Sequence, residues 1–160
     1  MSEIKKYQAK IVDVDLGTGV TVVEPVNIYG CKLGDDVFVG PFVEIQRDVT
    51  IGDRTRVQSH TFVCEMVDIG SDCFIGHGVM FINDLFQIGK PAPKDRMDLW
   101  APTRIGNHVS IGSNATILPI NICDHVVIGA GSVVTKDITE PGIYAGNPAK
   151  LLRPLNPDEV

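Results

Sequence analysis

Residues 33–81 read LGDDVFVGPFVEIQRDVTIGDRTRVQSHTFVCEMVDIGSDCFIGHGVMF, and an aliphatic or aromatic residue falls on every sixth position: Leu33, Val39, Ile45, Ile51, Val57, Val63, Ile69, Ile75 and Phe81. Four residues after most of them stands a second small or branched residue (Val37, Val43, Val49, Thr55, Thr61, Val67, Cys73, Val79), and glycine often follows the first, as at Gly34, Gly40, Gly52, Gly70 and Gly76. An α-helix repeats near 3.6 residues and a half-buried strand near 2, so a period of six rich in Val, Ile and Gly belongs to neither. It is the mark of stacked repeats, each a short strand, a turn and a short strand.

A strand that bends every six residues, with one large and one small side chain turned inward per side, coils into a triangular prism. Three hexads close a turn, so each strand is predicted to pair in parallel with the one about 18 residues on, ~4.8 Å further along the axis. So narrow a prism has little room for aromatic bulk, and Phe81 alone among the leading positions is aromatic. Residues 1–160 are expected to form one all-β domain of this kind, long enough at 44% apolar residues to bury a core.

The repeat breaks twice. After Phe81 the next leading residue would be 87, yet clear hexads resume only at Ile105 with IGNHVS and IGSNAT, 18 residues late. That excess equals one coil, but Pro91, Pro93 and Pro102 with KDRMD between them suit a projecting loop, 85–102, and long excursions from a rigid solenoid are usually functional. The second break is ILPIN, where Ile117 to Ile122 spans five residues, which predicts one tightened side.

With 20 acidic against 14 basic side chains the net charge is −6, which argues against a nucleic-acid surface and requires any phosphate-bearing ligand to find a local basic cluster. The N-terminus, MSEIKKYQAK, lacks a signal peptide's apolar stretch and no run approaches membrane-spanning length, so a soluble, cytoplasmic protein is expected. Cys31, Cys64, Cys73 and Cys123 show no CxxC spacing and read as reduced thiols in or near the core.

From about Ile11 to Arg153 this pattern resembles the hexapeptide-repeat acyltransferases, whose fold is the left-handed parallel β-helix. The hand is implied by the resemblance alone, because parallel crossovers are in general right-handed.

Asn83 and Asp84 stand where the chain leaves the coil, within GHGVMFINDLF. Either could simply cap the start of a loop. Counting back 18 residues from Asn83 gives Glu65, and another 18 gives Arg47, which predicts a polar column at the root of the loop and favours a functional reading. In the sugar and antibiotic O-acetyltransferases of the family a catalytic His occupies the matching segment, which here reads FIND. The stretch SHTFVCEMVDIGSDCFIGHGVMFIND is more similar to N-acetyltransferases acting on nucleotide-linked 3-amino sugars, such as 3-amino-glucuronate or 3-amino-6-deoxyhexose derivatives. That resemblance implies that Asn83 holds the acceptor amine.

The chemistry tolerates an Asn there. A hydroxyl must lose its proton as it attacks a thioester, so it benefits from a general base, whereas a neutral amine already carries its lone pair and needs orientation, proximity and a destination for a proton. The Asn83 carbonyl can aim that lone pair; the departing CoA sulfur or Asp84 can take the proton, and backbone N–H groups near Gly112 and Ser113 are candidates for the oxyanion.

His60, His108 and His125 fall on the fourth position of their hexads, a turn position that suits local hydrogen bonding. His60 and His77, 17 residues apart, are expected on adjacent coils near Asn83, where with Glu65 they are candidates to bind the sugar or its phosphates. The His spacings of 17, 31 and 17 do not supply the ligand set of a γ-class carbonic anhydrase, another left-handed β-helix, and no metal is expected.

Toward the C-terminus, IGAGSVVTKDI and AGNPAKLLR are similar to the acetyl-CoA-binding end of many hexapeptide transferases. The resemblance implies that Ser113 and Ala130 offer backbone groups to the pantetheine, that Thr135 and Lys136 lie along its outer part, and that Arg153 meets a phosphate, with Lys150 a further candidate. It also implies a homotrimer with acetyl-CoA in the groove between prisms, and the loop, with Leu99 and Trp100, is expected to cover a neighbour's site or its own. The resulting expectation is an acetyl-CoA-dependent N-acetyltransferase of a UDP- or dTDP-linked amino sugar, acting at C3 in surface-polysaccharide precursor synthesis. The alternatives are a sugar O-acetyltransferase, lost with His60 or His77 rather than Asn83, and a non-catalytic β-helix scaffold subunit that does not bind CoA.

Overall fold

The computed structural model describes residues 4–93 and 95–159. Strands of two or three residues stack into three parallel sheets, one per side of a prism. The first sheet runs Ile11–Val12, Asn27–Tyr29, Glu44–Ile45, Phe62–Val63, Met80–Phe81, Thr116–Ile117, Val133–Val134. The second runs from Asp15–Leu16 to Asn121–Ile122. The third starts at Thr21–Val22 and closes with Gly142–Gly146, onto which Ala149–Arg153 folds as an antiparallel strand. The architecture is a left-handed parallel β-helix of about seven coils.

Inward side chains follow the sequence period. The nine leading residues are at most 3% exposed and their small companions at most 2%. The polar companions are satisfied inside: Thr55 Oγ1 donates to the Gly70 carbonyl at 2.8 Å and accepts the Cys73 N–H at 3.0 Å, and Thr61 Oγ1 donates to the Gly76 carbonyl at 2.9 Å. Between them every sixth residue, Asp36, Phe42, Asp48, Arg54, His60, Met66, Asp72 and Gly78, turns a corner with φ between 55° and 69°. Asp and Gly accept that left-handed conformation readily; Phe42 and Met66 occupy it because the coil on either side imposes it.

The small polar residue two positions after the leading one has its own task on one corner. Asp35, Asp53, Ser71, Asn107 and Asp124 each accept, through the side chain, a backbone N–H of the coil below, at 2.7 to 3.1 Å. Both breaks in the repeat take the form the sequence predicts. Ile69 pairs directly with Ile105 and Phe81 with Ile117, so the 18 extra residues project as a loop, and Ile105 pairs with Ile122 across a coil one residue short. No helix among the described residues is long and apolar enough to cross a membrane.

Candidate functional site

The first sheet fixes the polar column. Phe62 pairs with Glu44 on one side and Met80 on the other, which sets Arg47, Glu65 and Asn83 above one another at the next corner. Arg47 Nε lies 3.2 Å from Glu65 Oε1, and Asn83 Nδ2 donates to the Glu65 backbone carbonyl at 3.2 Å. The amide is thereby held by its nitrogen end, and no described residue donates to its Oδ1. Continued in register, Phe81 to Ile117 to Val134, the same corner carries Pro119 and then Lys136, two coils beyond Asn83 and about 10 Å along the axis. The residue expected to hold the acceptor and one expected to meet the cofactor therefore share an edge although 53 positions separate them.

Asp84 builds the loop. Its Oδ1 accepts the Phe86 N–H at 2.8 Å, its Oδ2 accepts the Ala92 N–H at 2.7 Å, and its backbone bridges to Trp100 in antiparallel fashion. Ala101 N–H donates to the Asn83 carbonyl at 2.9 Å, Gln87 Nε2 donates to the Leu99 carbonyl at 3.0 Å, and Thr103 rejoins the prism by donating to Met66. Both carboxylate oxygens are thus engaged by backbone donors, as in an Asx turn. Trp100 packs back on its own chain. Trp100 lines a cleft of about 300 Å3 with Arg47, Glu65, Ala92 and Met97. Glu65, 8% exposed, has its Oε2 buried there without a hydrogen-bond partner among the described residues, and so is Trp100 Nε1.

The histidines lie elsewhere than expected. By register His77 stands over Ser59 and under Ser113 and Ala130, on the corner before the first sheet's strands, while Asn83 stands on the corner after them. Six residues of chain, up to about 20 Å, separate the two, so within one chain neither His60 nor His77 is on the Asn83 corner. His60 packs against Phe42 with ring centroids 4.9 Å apart and planes tilted by 31°, and exposed His77 meets Ser59 Oγ through Nδ1 at 2.9 Å. His108 and His125 stack at 4.8 Å, as corner residues.

Ser113 and Ala130 occupy a corner where coils approach closely. A Cβ on Gly76 would lie 2.7 Å from both the Ile111 carbonyl and the Ser113 nitrogen, and one on Gly112 would strike the Ala130 nitrogen. The coils are consequently stacked backbone on backbone there, with Ser113 half-buried and Ala130 exposed. Thr135 and Lys136 are exposed one face further along the chain, Lys136 on the Asn83 corner. Ser132, fully buried, donates to the Gly129 carbonyl at 2.7 Å and accepts the Gly146 N–H at 3.1 Å, which seats the terminal hairpin carrying Lys150 and Arg153. Arg153 forms a two-pronged pair with Glu159, Nη1 to Oε2 at 2.7 Å and Nη2 to Oε1 at 2.8 Å, a partner that sequence reading did not anticipate. This pair and a backbone bond from Asn156 hold the Glu159 carboxyl down at about 2. No group of three or more His, Cys, Asp or Glu among the described residues is placed to hold a metal.

Residues 30–65 match the family described as bacterial transferase hexapeptide (six repeats), and residues 102–136 match the hexapeptide repeat of succinyl-transferase. The bifunctional protein GlmU of Clostridium botulinum is 34% identical over 110 residues, which is 68% of this chain and 21% of its own length. The chain spans about a fifth to a third of the length of the curated relatives it matches. Among solved structures, AntD, an N-acyltransferase from Bacillus cereus in complex with dTDP and coenzyme A, superposes with a TM-score of 0.72 at 19% identity over 91% of this chain and 84% of that one. Perosamine N-acetyltransferase from Caulobacter crescentus, in complex with CoA and GDP-perosamine, superposes at 0.63 with 21% identity over 89% and 57%. At such identities the likeness concerns the fold.

Proposed function

Since the chain belongs to the hexapeptide-repeat transferases, we propose that it is an acetyl-CoA-dependent N-acetyltransferase whose acceptor is a nucleotide-linked amino sugar, acetylated at the C3 amine in the cytoplasmic assembly of surface polysaccharide precursors. The observation that carries this reading is Asn83. Its amide is anchored through Nδ2 at the root of the loop, which leaves Oδ1 without a donor among the described residues, in a segment with no histidine on the same corner.

Oδ1 accepts one amine N–H and so aims the nitrogen lone pair at the thioester carbonyl. Attack forms the C–N bond, the tetrahedral oxyanion is met by backbone N–H groups of the Gly112–Ser113 corner of the neighbouring prism, and the C–S bond breaks to release CoA. Asp84, engaged by two backbone donors, positions the loop over the acceptor. The residues fit the co-substrate: Ser113 and Ala130 present backbone at a close-packed corner, while Thr135, Lys136, Lys150 and Arg153 place hydroxyl and positive charge along the end of an acidic chain. The active form is a homotrimer with the groove between prisms, a geometry that lets His60 and His77 of one chain approach the acceptor held by the next.

One observation favours a second reading. His77 is exposed, oriented by Ser59 through Nδ1, and shares its corner with Ser113 and Ala130, as a general base for a hydroxyl acceptor would. Thiol release from acetyl-CoA with a panel of UDP- and dTDP-linked 3-amino and 4-amino sugars and their hydroxyl analogues separates the two. Turnover of an amino sugar that falls about a hundredfold in Asn83→Ala and survives His77→Ala is the expected result; turnover of hydroxyl acceptors alone, lost with His77→Ala, overturns it. Sedimentation of the active enzyme as a monomer would remove the trimer from the proposal.

A further inference from the structure

Resting on the N-acetyltransferase reading, we infer that the cleft beneath the loop is the acceptor-amine subsite, that Glu65 takes the amine proton there, and that Trp100 reads the substituent next to the amine. The two buried, unpartnered polar atoms are chemically opposite. Glu65 Oε2 can only accept a hydrogen bond when ionised, and Trp100 Nε1 can only donate one. Each is costly to bury alone, so the cleft favours a ligand that presents both a donor and an acceptor.

An amine with a vicinal hydroxyl or acylamido oxygen is such a ligand, and a cleft of about 300 Å3, at the small end of ligand sites, takes one sugar ring with the nucleotide left outside. Arg47 serves both parts. Its Nε steadies Glu65 Oε1 at 3.2 Å, and its side chain, 61% exposed, is open to a nucleotide's phosphates. Asn83, bonded to the backbone carbonyl of Glu65, ties the group that aims the amine to the group that deprotonates it.

The step balances without an outside reagent. The neutral amine attacks the thioester carbon, the C–N bond forms, and the carbonyl electrons move to oxygen. The proton on the now cationic nitrogen passes to Glu65 Oε2. As the oxyanion collapses the C–S bond breaks, and the thiolate recovers that proton, leaving amide, CoA thiol and an ionised Glu65. This carboxylate replaces Asp84 as the proton's destination, because Asp84 has both oxygens occupied by the loop.

The test is steady-state kinetics of wild type, Glu65→Gln and Trp100→Phe with the amino sugar that turns over, alongside its analogue lacking the vicinal substituent, with acetyl-CoA affinity and melting temperature measured in parallel. Glu65→Gln is expected to lower kcat about a hundredfold with acetyl-CoA affinity unchanged. Trp100→Phe is expected to raise the acceptor KM about tenfold, and to leave the KM of the truncated analogue where wild type has it. A Glu65→Gln enzyme with wild-type kcat overturns the proton assignment, and an equal KM penalty on both acceptors in Trp100→Phe overturns the recognition assignment. Silence of wild type on every amino sugar overturns the underlying N-acetyl reading, and this inference with it.

Discussion

Cys31, Cys64 and Cys73 are each 2% exposed, and desolvation raises their thiol pKa values, Cys31 to about 11 and Cys64 to about 12. Cys73 also donates through Sγ to the Ser71 and Gly106 carbonyls, a bond that only the protonated thiol can make. A folded pKa above the unfolded one means that this stability is complete below pH ~9 and is lost as the pH rises toward 11 and 12. A thiol reagent at pH 8 is therefore expected to modify at most Cys123, the half-buried one, in native protein and all four in denaturant; rapid native modification of two or more would contradict the packing described. Cys73 was legible in the sequence because its hexad position calls for a small inward residue. Asp84 was legible only as an ambiguity, since an Asx-turn residue and a catalytic carboxylate look alike until the Phe86 and Ala92 donors are seen.

At the scale of elements the loop is an appendage to an uninterrupted ladder. The bounds 85–102 followed from the period, because 18 surplus residues can leave and return without shifting any strand's register. How the loop folds back was not legible: no periodicity relates Trp100 to Glu65, and their meeting depends on side-chain packing and on the two N–H groups gathered by Asp84. Deleting residues 85–102 and joining Asp84 to Thr103 restores the hexad count, so the variant should keep its β-type circular dichroism and a cooperative melt. It should also bind acetyl-CoA within about threefold of wild type while acceptor turnover falls at least a hundredfold, the effect of losing a positioned substrate. Loss of the cooperative melt would show that the loop is part of the prism's core.

Over the whole molecule the stacking of coils is what gathers the site, since Arg47, Glu65, Asn83 and Lys136 reach one edge only through inter-coil register. The repeat made that edge readable up to Asn83, and it failed for His77 because one hexad in this prism is a whole face wide. Charge poses the remaining problem, for on the proposed function a chain of net charge −6 must attract a polyanion to its C-terminal end. There Arg153 is already claimed by Glu159, and the carboxyl, held at about 2, stays ionised near neutrality. Acidification therefore cannot free Arg153 near neutrality, because the pair's contribution persists above the ordinary Glu value and is lost only as the pH falls toward 2. A phosphate must displace the carboxylate instead. Both groups are exposed, so the competition is modest, and Glu159→Gln is expected to tighten acetyl-CoA binding by less than tenfold at low salt, with kcat unchanged and the gain screened out in about 1 M salt. Titration calorimetry at the two ionic strengths reads this directly, and an affinity that stays constant or weakens would mean that Arg153 meets no phosphate of the cofactor.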